Sequence, residues 1–238
     1  MYKIRFLLFA FLFVSCENIF FGDDENVFVE KNVSDFNTII VNDIFDIKLT
    51  QDTINRIFIE GAENIVANIK VFVKNDSLYI ENNTDFRWTG NYDRVMVNIS
   101  VKDLQNLRLN APSDVVSTNN IKGHYLNVKA IAEMSEINIS MDTDNFYFVN
   151  QGTSGGNFNF SGNTINLGFW IRGSGKINTE ELTCKSAIIK SSTIADTYIS
   201  VENKLKVEIE RDAKIFYKGN PEIIAEDSNT LNNLVKLD

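Results

Sequence analysis

The 238-residue chain carries 32 acidic against 23 basic side chains, a formal charge of −9, and 44% of its residues are hydrophobic. That balance excludes nucleic-acid binding through phosphates, which requires clustered Lys and Arg. The single histidine, His124, has no second histidine with which to form a zinc site or a triad.

Residues 1–15 read as a signal peptide: Lys3 and Arg5 supply a short positive start, and Phe6 to Val14 form an apolar run. A transmembrane helix needs about 20 apolar residues, so this run is too short to span a bilayer. It ends in Phe13-Val14-Ser15-Cys16, which resembles the lipobox of bacterial lipoproteins with Phe13 in place of the usual leucine. The resemblance implies cleavage before Cys16 and acylation of its sulfur and new amino group. An ordinary secretory signal with a cysteine near the cut is the alternative. Loss of the leader removes two basic residues and no acidic ones, taking the charge from −9 to −11. No later segment is apolar enough to cross a membrane, so the lipid would be the whole anchor. Residues 16–32 then form an acidic tether, with Glu17 and Asp23-Asp24-Glu25 close behind the lipid site. In some Gram-negative groups such residues look like a signal for display on the outer face; a solvated tether is the plainer reading. An outer-membrane lipoprotein, displayed on the cell surface or facing the periplasm, is the expected location. With Cys16 acylated, Cys184 is the one remaining thiol, which leaves no intrachain disulfide and no cysteine-based metal site.

From Val27 to Val101 the chain is β-rich but irregular. Ile44 to Leu49 and Arg56 to Ile59 read as strands, and Lys74-Asn75-Asp76-Ser77 is a good hairpin turn between Ile69–Val73 and Leu78–Ile80. Ala62 to Asn68 fits one or two helical turns. The region is expected to cap and extend the repeat that follows.

From about residue 100 a period near 20 sets in. Alternating strands begin at Leu107, Leu126, Phe146, Leu167, Ala187 and Leu205, spaced by 19, 20, 21, 20 and 18 residues. A second strand follows in each unit, with inward Val115, Ile137 with Ile139, Phe158 with Phe160, Ile177, Ile199, and Ile215 with Tyr217. Corners of small residues separate them, as at Gly152 to Gly156, Gly173-Ser174-Gly175 and Ser191-Ser192-Thr193. A constant period of this length with short strands predicts an all-β fold, a right-handed parallel β-helix or β-solenoid of about 20 residues per turn. Turns stacked about 4.8 Å apart would give a rod of roughly 30 Å. A β-sandwich would show Asn-Gly hairpin turns in this half, and none occurs.

Several segments then become specific. Val33-Ser34-Asp35-Phe36, Phe45 to Gln51, Asp76 to Ile80, Gly173-Ser174-Gly175-Lys176-Ile177 and Tyr217-Lys218-Gly219-Asn220-Pro221-Glu222-Ile223 resemble the auto-transporter adhesin head GIN domain family. Corners such as Glu210-Arg211-Asp212-Ala213 depart from its Gly-Ser-Gly-Asp pattern. The resemblance spans nearly all of the mature chain, giving a GIN-type solenoid over 33–224 and a C-terminal tail over 225–238. It implies a right-handed β-helix on lipoproteins or secreted proteins, with a proposed role in adhesion and no established activity.

Chemistry-bearing motifs are sparse. No phosphate loop, dinucleotide fingerprint or nucleophile elbow is present, and no cofactor is expected. Acid pairs occur at Glu133 with Glu136, Asp142 with Asp144, and Glu180 with Glu181; these read as solvated turns, although paired carboxyls serve in glycosidases. A calcium site at Asp142-Thr143-Asp144 has spacing alone behind it. Cys184 reads as a small packed residue. A β-helix polysaccharide lyase is the enzyme alternative, but such enzymes carry long cleft-forming loops and the turns here are short. The repeat also predicts which residues face solvent. With Phe169 and Ile171 inward, Trp170 points outward, Val149 sits one turn earlier, and Tyr147 and Ile188 occupy the neighbouring column, with Arg172 at the rim. Such a patch is expected to engage a glycan or a surface protein, unless the tail around Leu231 to Leu237 folds over it.

Overall fold

The computed structural model describes residues 25–83, 94–225 and 227–237. The leader, Cys16 and Trp88 lie outside them. In chain order the elements are β1 (Asn26–Lys31), β2 (Thr38–Val41), β3 (Phe45–Gln51), β4 (Arg56–Ala62), α1 (Glu63–Val66), β5 (Ile69–Lys74), β6 (Ser77–Asn82) and β7 (Val95–Val101). There follow β8 (Asn106–Leu109), β9 (Asp114–Ser117), β10 (Ile121–Ala130), β11 (Met134–Asn150), β12 (Gly155–Ile171), β13 (Lys176–Ser191), β14 (Thr197–Ile209), β15 (Ile215–Lys218) and β16 (Glu222–Ala225). Helix α2 (Ser228–Asn232) and β17 (Leu234–Lys236) close the chain.

The fold is a β-solenoid of about six turns roughly 20 residues apart, preceded by an irregular N-terminal part. Alternation produces it directly. On one side of the rod, here called face I, the inward residues stack in parallel register as Leu107, Val128, Phe148, Phe169, Ile189 and Val207. All six are buried. Face II is built the same way from Val115, Ile137, Phe158 and Ile177. A short third side joins them, where Ile121, Met141, Gly162 and Leu182 are in register. No turn can bury its apolar row alone; each is closed above and below by its neighbours, which makes the core one continuous column. Five phenylalanines fill its middle: Phe146, Phe148, Phe158, Phe160 and Phe169 have ring centroids 4.7 to 6.0 Å apart.

Corners are tight because adjacent backbones approach there. Gly162 sits at φ +101°, and a Cβ on it would lie 2.0 Å from the carbonyl oxygen of Met141 on the previous turn. Only glycine fits. Polar corner side chains bond to the next turn instead of to water. The Ser113 hydroxyl donates to the Asp43 carbonyl at 3.0 Å, and the Asn150 Oδ1 accepts from the Arg172 and Gly173 amides at 2.9 and 3.2 Å.

The N-terminal part continues the rod, but out of sequence order. β2 lies between β6 and β8 on face I, and β3 lies between β7 and β9 on face II. The turn formed by residues 38–51 is therefore sandwiched between two turns that come later in the chain. Antiparallel strands then end the parallel stack, β5 against β6 on face I, and β4 with β1 beyond β7 on face II. Part of the expected tether, Asn26–Lys31, is thus strand β1, since Val27 and Val29 pack against the core. At the other end β17 stacks on β15, and the Thr230 hydroxyl of α2 accepts from the Ile209 amide at 3.2 Å. The tail closes the end of the rod and does not cross face I.

Candidate functional site

Face I turns two columns of outward side chains to solvent. One runs Asn127, Tyr147, Gly168, Ile188; the other runs Lys129, Val149, Trp170, Lys190. The expected neighbours Tyr147, Val149, Trp170 and Ile188 are therefore assembled on one flat sheet surface. Ile188 is 46% exposed, and Tyr147, Val149 and Trp170 are half-buried. Arg172 is exposed, just past the end of β12 and two residues beyond Trp170.

Tyr125 joins them, and the sequence reading did not include it. Its ring centroid is 5.6 Å from that of Tyr147, which is 5.8 Å from Trp170. The three rings form a diagonal ledge across three turns, Tyr125 being 38% exposed at its end. The signal was available: residues 125, 127 and 129 share the outward parity of one strand.

Gly168 explains why the rings lie down. It occupies the outward column between Tyr147 and Ile188, and a Cβ there would lie 2.5 Å from Tyr147 Cδ1 and 2.9 Å from Trp170 Cζ3. Its backbone is ordinary strand, so no turn demands a glycine at this position. The missing side chain is a seat for two aromatic rings, which lie over the bare backbone and remain half-buried. Rings so fixed present apolar area at little further entropic cost.

Other singled-out residues are dispersed. His124 lies at the corner before Tyr125 and its Nδ1 is hydrogen-bonded to Asp144 Oδ2, which holds the imidazole pKa above its usual value. Asp142 and Asp144 border a shallow groove of about 300 Å³ with Asn163, Ile165, Lys185 and Glu202. Among the described residues no three His, Cys, Asp or Glu side chains converge as a metal site. Cys184 is buried, its thiol donating to the Ser200 carbonyl at 3.4 Å, and burial pushes its pKa up to about 12. Glu180 pairs with Lys218 on face II at 2.7 Å. Two further exposed aromatic pairs, Phe28 with Phe58 and Phe72 with Tyr79, lie at the N-terminal end of the rod.

Fold and surface together define a short β-solenoid with an aromatic ledge on one side. The family described as "Putative auto-transporter adhesin, head GIN domain" matches residues 35–221, and the chain belongs to it. Similar solved structures include a putative adhesin from Bacteroides fragilis, 20% identical with a TM-score of 0.75 over 89% of this chain and 93% of that one. A putative adhesin from Parabacteroides distasonis is 16% identical, with a TM-score of 0.62 over 91% and 96%. A putative lipid binding protein from the same species is also 16% identical, with a TM-score of 0.57 over 91% and 98%. At these identities the likeness is one of fold. None of the curated proteins compared with the chain matches it. Among the described residues no helix is long and apolar enough to cross a membrane.

Proposed function

We propose that this protein is a lipid-anchored binding protein of the outer membrane, held through Cys16, that uses the Tyr125–Tyr147–Trp170 ledge to engage a glycan or a surface protein and catalyses no reaction. Membership of an adhesin-like family supports a surface or envelope role. The observation that carries the reading is the seating of Tyr147 and Trp170 on Gly168, which commits a strand position to holding two half-exposed rings on the outer face. Exposed apolar patches of this kind mark interaction sites, and Trp and Tyr lead the residues that dominate binding energies. Two experiments test it. Cys16→Ser should move the protein from the membrane to the soluble fraction and abolish palmitate labelling. On a glycan and surface-protein array, Trp170→Ala should lose the signals of the parent chain. Unchanged fractionation refutes the anchor, and an unchanged array profile refutes the ledge.

A further inference from the structure

The ledge belongs to a longer stripe. One outward column of face I runs through Tyr79, Ile40, Arg108, Lys129, Val149 and Trp170, each in parallel register with the next. Five steps between strands make it about 24 Å long. An aromatic pair stands at one end, Phe72 stacked on Tyr79 with centroids 5.0 Å apart, and the ledge stands at the other. Between them sit two cations.

The middle turns of face I carry cations without acids. From Asn106 to Ser192 the outward positions of face I hold Arg108, Lys129, Arg172 and Lys190 and not one carboxylate, in a chain whose net charge is −9. Face II mixes charge: Asp46, Asp114, Glu136 and Glu180 share its outward positions with Lys48, Lys176 and Lys218, and Arg94 pairs with Asp46 and Asp114 while Lys218 pairs with Glu180. Lys190 is paired with Glu208 at 2.6 Å, and the Arg108 Nε donates to Asn110 at 2.7 Å. Among the described residues, the ion pairs do not include Lys129 or Arg172. Beside the stripe runs a row of amides, in which the Asn166 Nδ2 donates to Asn145 at 3.0 Å.

We infer that face I takes a linear, carboxylate-bearing glycan, a polyuronate, laid along the rod axis. Sugar rings rest their C–H faces on Tyr147 and Trp170, while Lys129, Arg108 and Arg172 receive the carboxylates. Flat open rings suit pyranose faces, and side-chain amides supply the paired donors and acceptors that hydroxyls need. Two cations one strand spacing apart, Arg108 and Lys129, with Arg172 beyond the rings, match a polymer better than a single small acid. Anionic membranes call for clusters of four to eight Lys or Arg; of the four on these turns of the face Lys190 is paired with Glu208, which leaves three. The inference rests on the ledge being the binding surface, as proposed above.

Calorimetric titration of the full mature chain in detergent tests it, using polygalacturonate, its fully methyl-esterified form, and polyglutamate of matched charge. The expected result is binding to polygalacturonate that weakens as salt screens the contacts. Lys129→Ala with Arg172→Ala should weaken it by about tenfold, consistent with two lost charge-assisted bonds at an exposed site. Both side chains are at the surface, so native fluorescence should be kept. Equal binding of the methyl ester would overturn the anionic ligand while leaving the ledge as a sugar site. Equal binding of polyglutamate would show that charge alone suffices and would overturn the glycan. Failure of all three polymers overturns the inference, and the ledge itself falls only if the Trp170→Ala array comparison also shows no difference.

Discussion

Phe148 sits where the ring stack is densest, and truncating it probes the register of the whole rod. Its side chain is fully buried, paired in register with Val128 on one side and Phe169 on the other. Ring centroids of Phe158, Phe160 and Phe169 lie 4.9, 5.1 and 6.0 Å away. Phe148→Ala removes a ring that three others pack against, and stacked backbones on both sides prevent collapse into the space. The loss should fall at about 3–5 kcal/mol, toward the upper part because the aromatic contacts add to burial. Domain stabilities are about 5–15 kcal/mol, so the variant should fold but lose a large fraction of its margin. Phe148→Leu, which leaves a smaller cavity, should cost about half as much. Val149→Ala, next along the strand but facing out, should cost under about 1 kcal/mol. Urea unfolding followed by circular dichroism gives all three numbers. A loss under about 1 kcal/mol for Phe148→Ala, or an equal loss for Val149→Ala, would show that the inward and outward sets have been exchanged.

Gly168→Ala should leave stability nearly unchanged, because rings can swing, but should lift Tyr147 and Trp170 and shift Trp170 emission to the red; unaltered emission would refute the seat. Cys184 should resist thiol reagents in the native state at pH 8. Because burial raises its pKa to about 12 from 9.0, its contribution is full below pH 9 and lost as pH rises toward 12. Stability should accordingly fall by about 1.4 kcal/mol per pH unit more steeply than in Cys184→Ala across that window, and parallel curves would contradict the burial. By NMR, the His124 pKa, which its bond to Asp144 holds above 6.5, should drop toward that value in Asp144→Asn. An unmoved titration would mean the pair does not form.

How much of this was readable without coordinates depended on periodicity. Leu107, Val128, Phe148, Phe169, Ile189 and Val207 could be aligned because a period-2 strand recurs every 20 or so residues, which sets both face and register at once. The outward neighbours Tyr147, Val149, Trp170 and Ile188 followed from the same count. The order of the N-terminal turns did not. Thr38 and Asn106 are 68 residues apart yet adjacent, and no repeat links β2 to β8, since the chain first makes the β4, β5 and β6 excursion. Strand β1 fell both in the tether over 16–32 and at the start of the β-rich region from Val27; its burial alternates only between exposed and half-buried, which is a weak amphipathic signal next to an acidic run. Gly168 was read as one residue of an alternating strand. Its role depends on which rings lean over it from the turn before, a matter of side-chain direction that spacing does not carry.

The claim at the centre of this account is that Trp170 lies on an open working face. Iodide and acrylamide quenching of the monomeric chain carrying Trp88→Phe reports Trp170 alone. The account predicts quenching between that of free indole and that of a core tryptophan, because Trp170 is half-buried beside Gly168 and Tyr147, with protection when polygalacturonate is added. A Trp170 shielded from both quenchers in the isolated monomer would contradict it and make the ledge a packing feature.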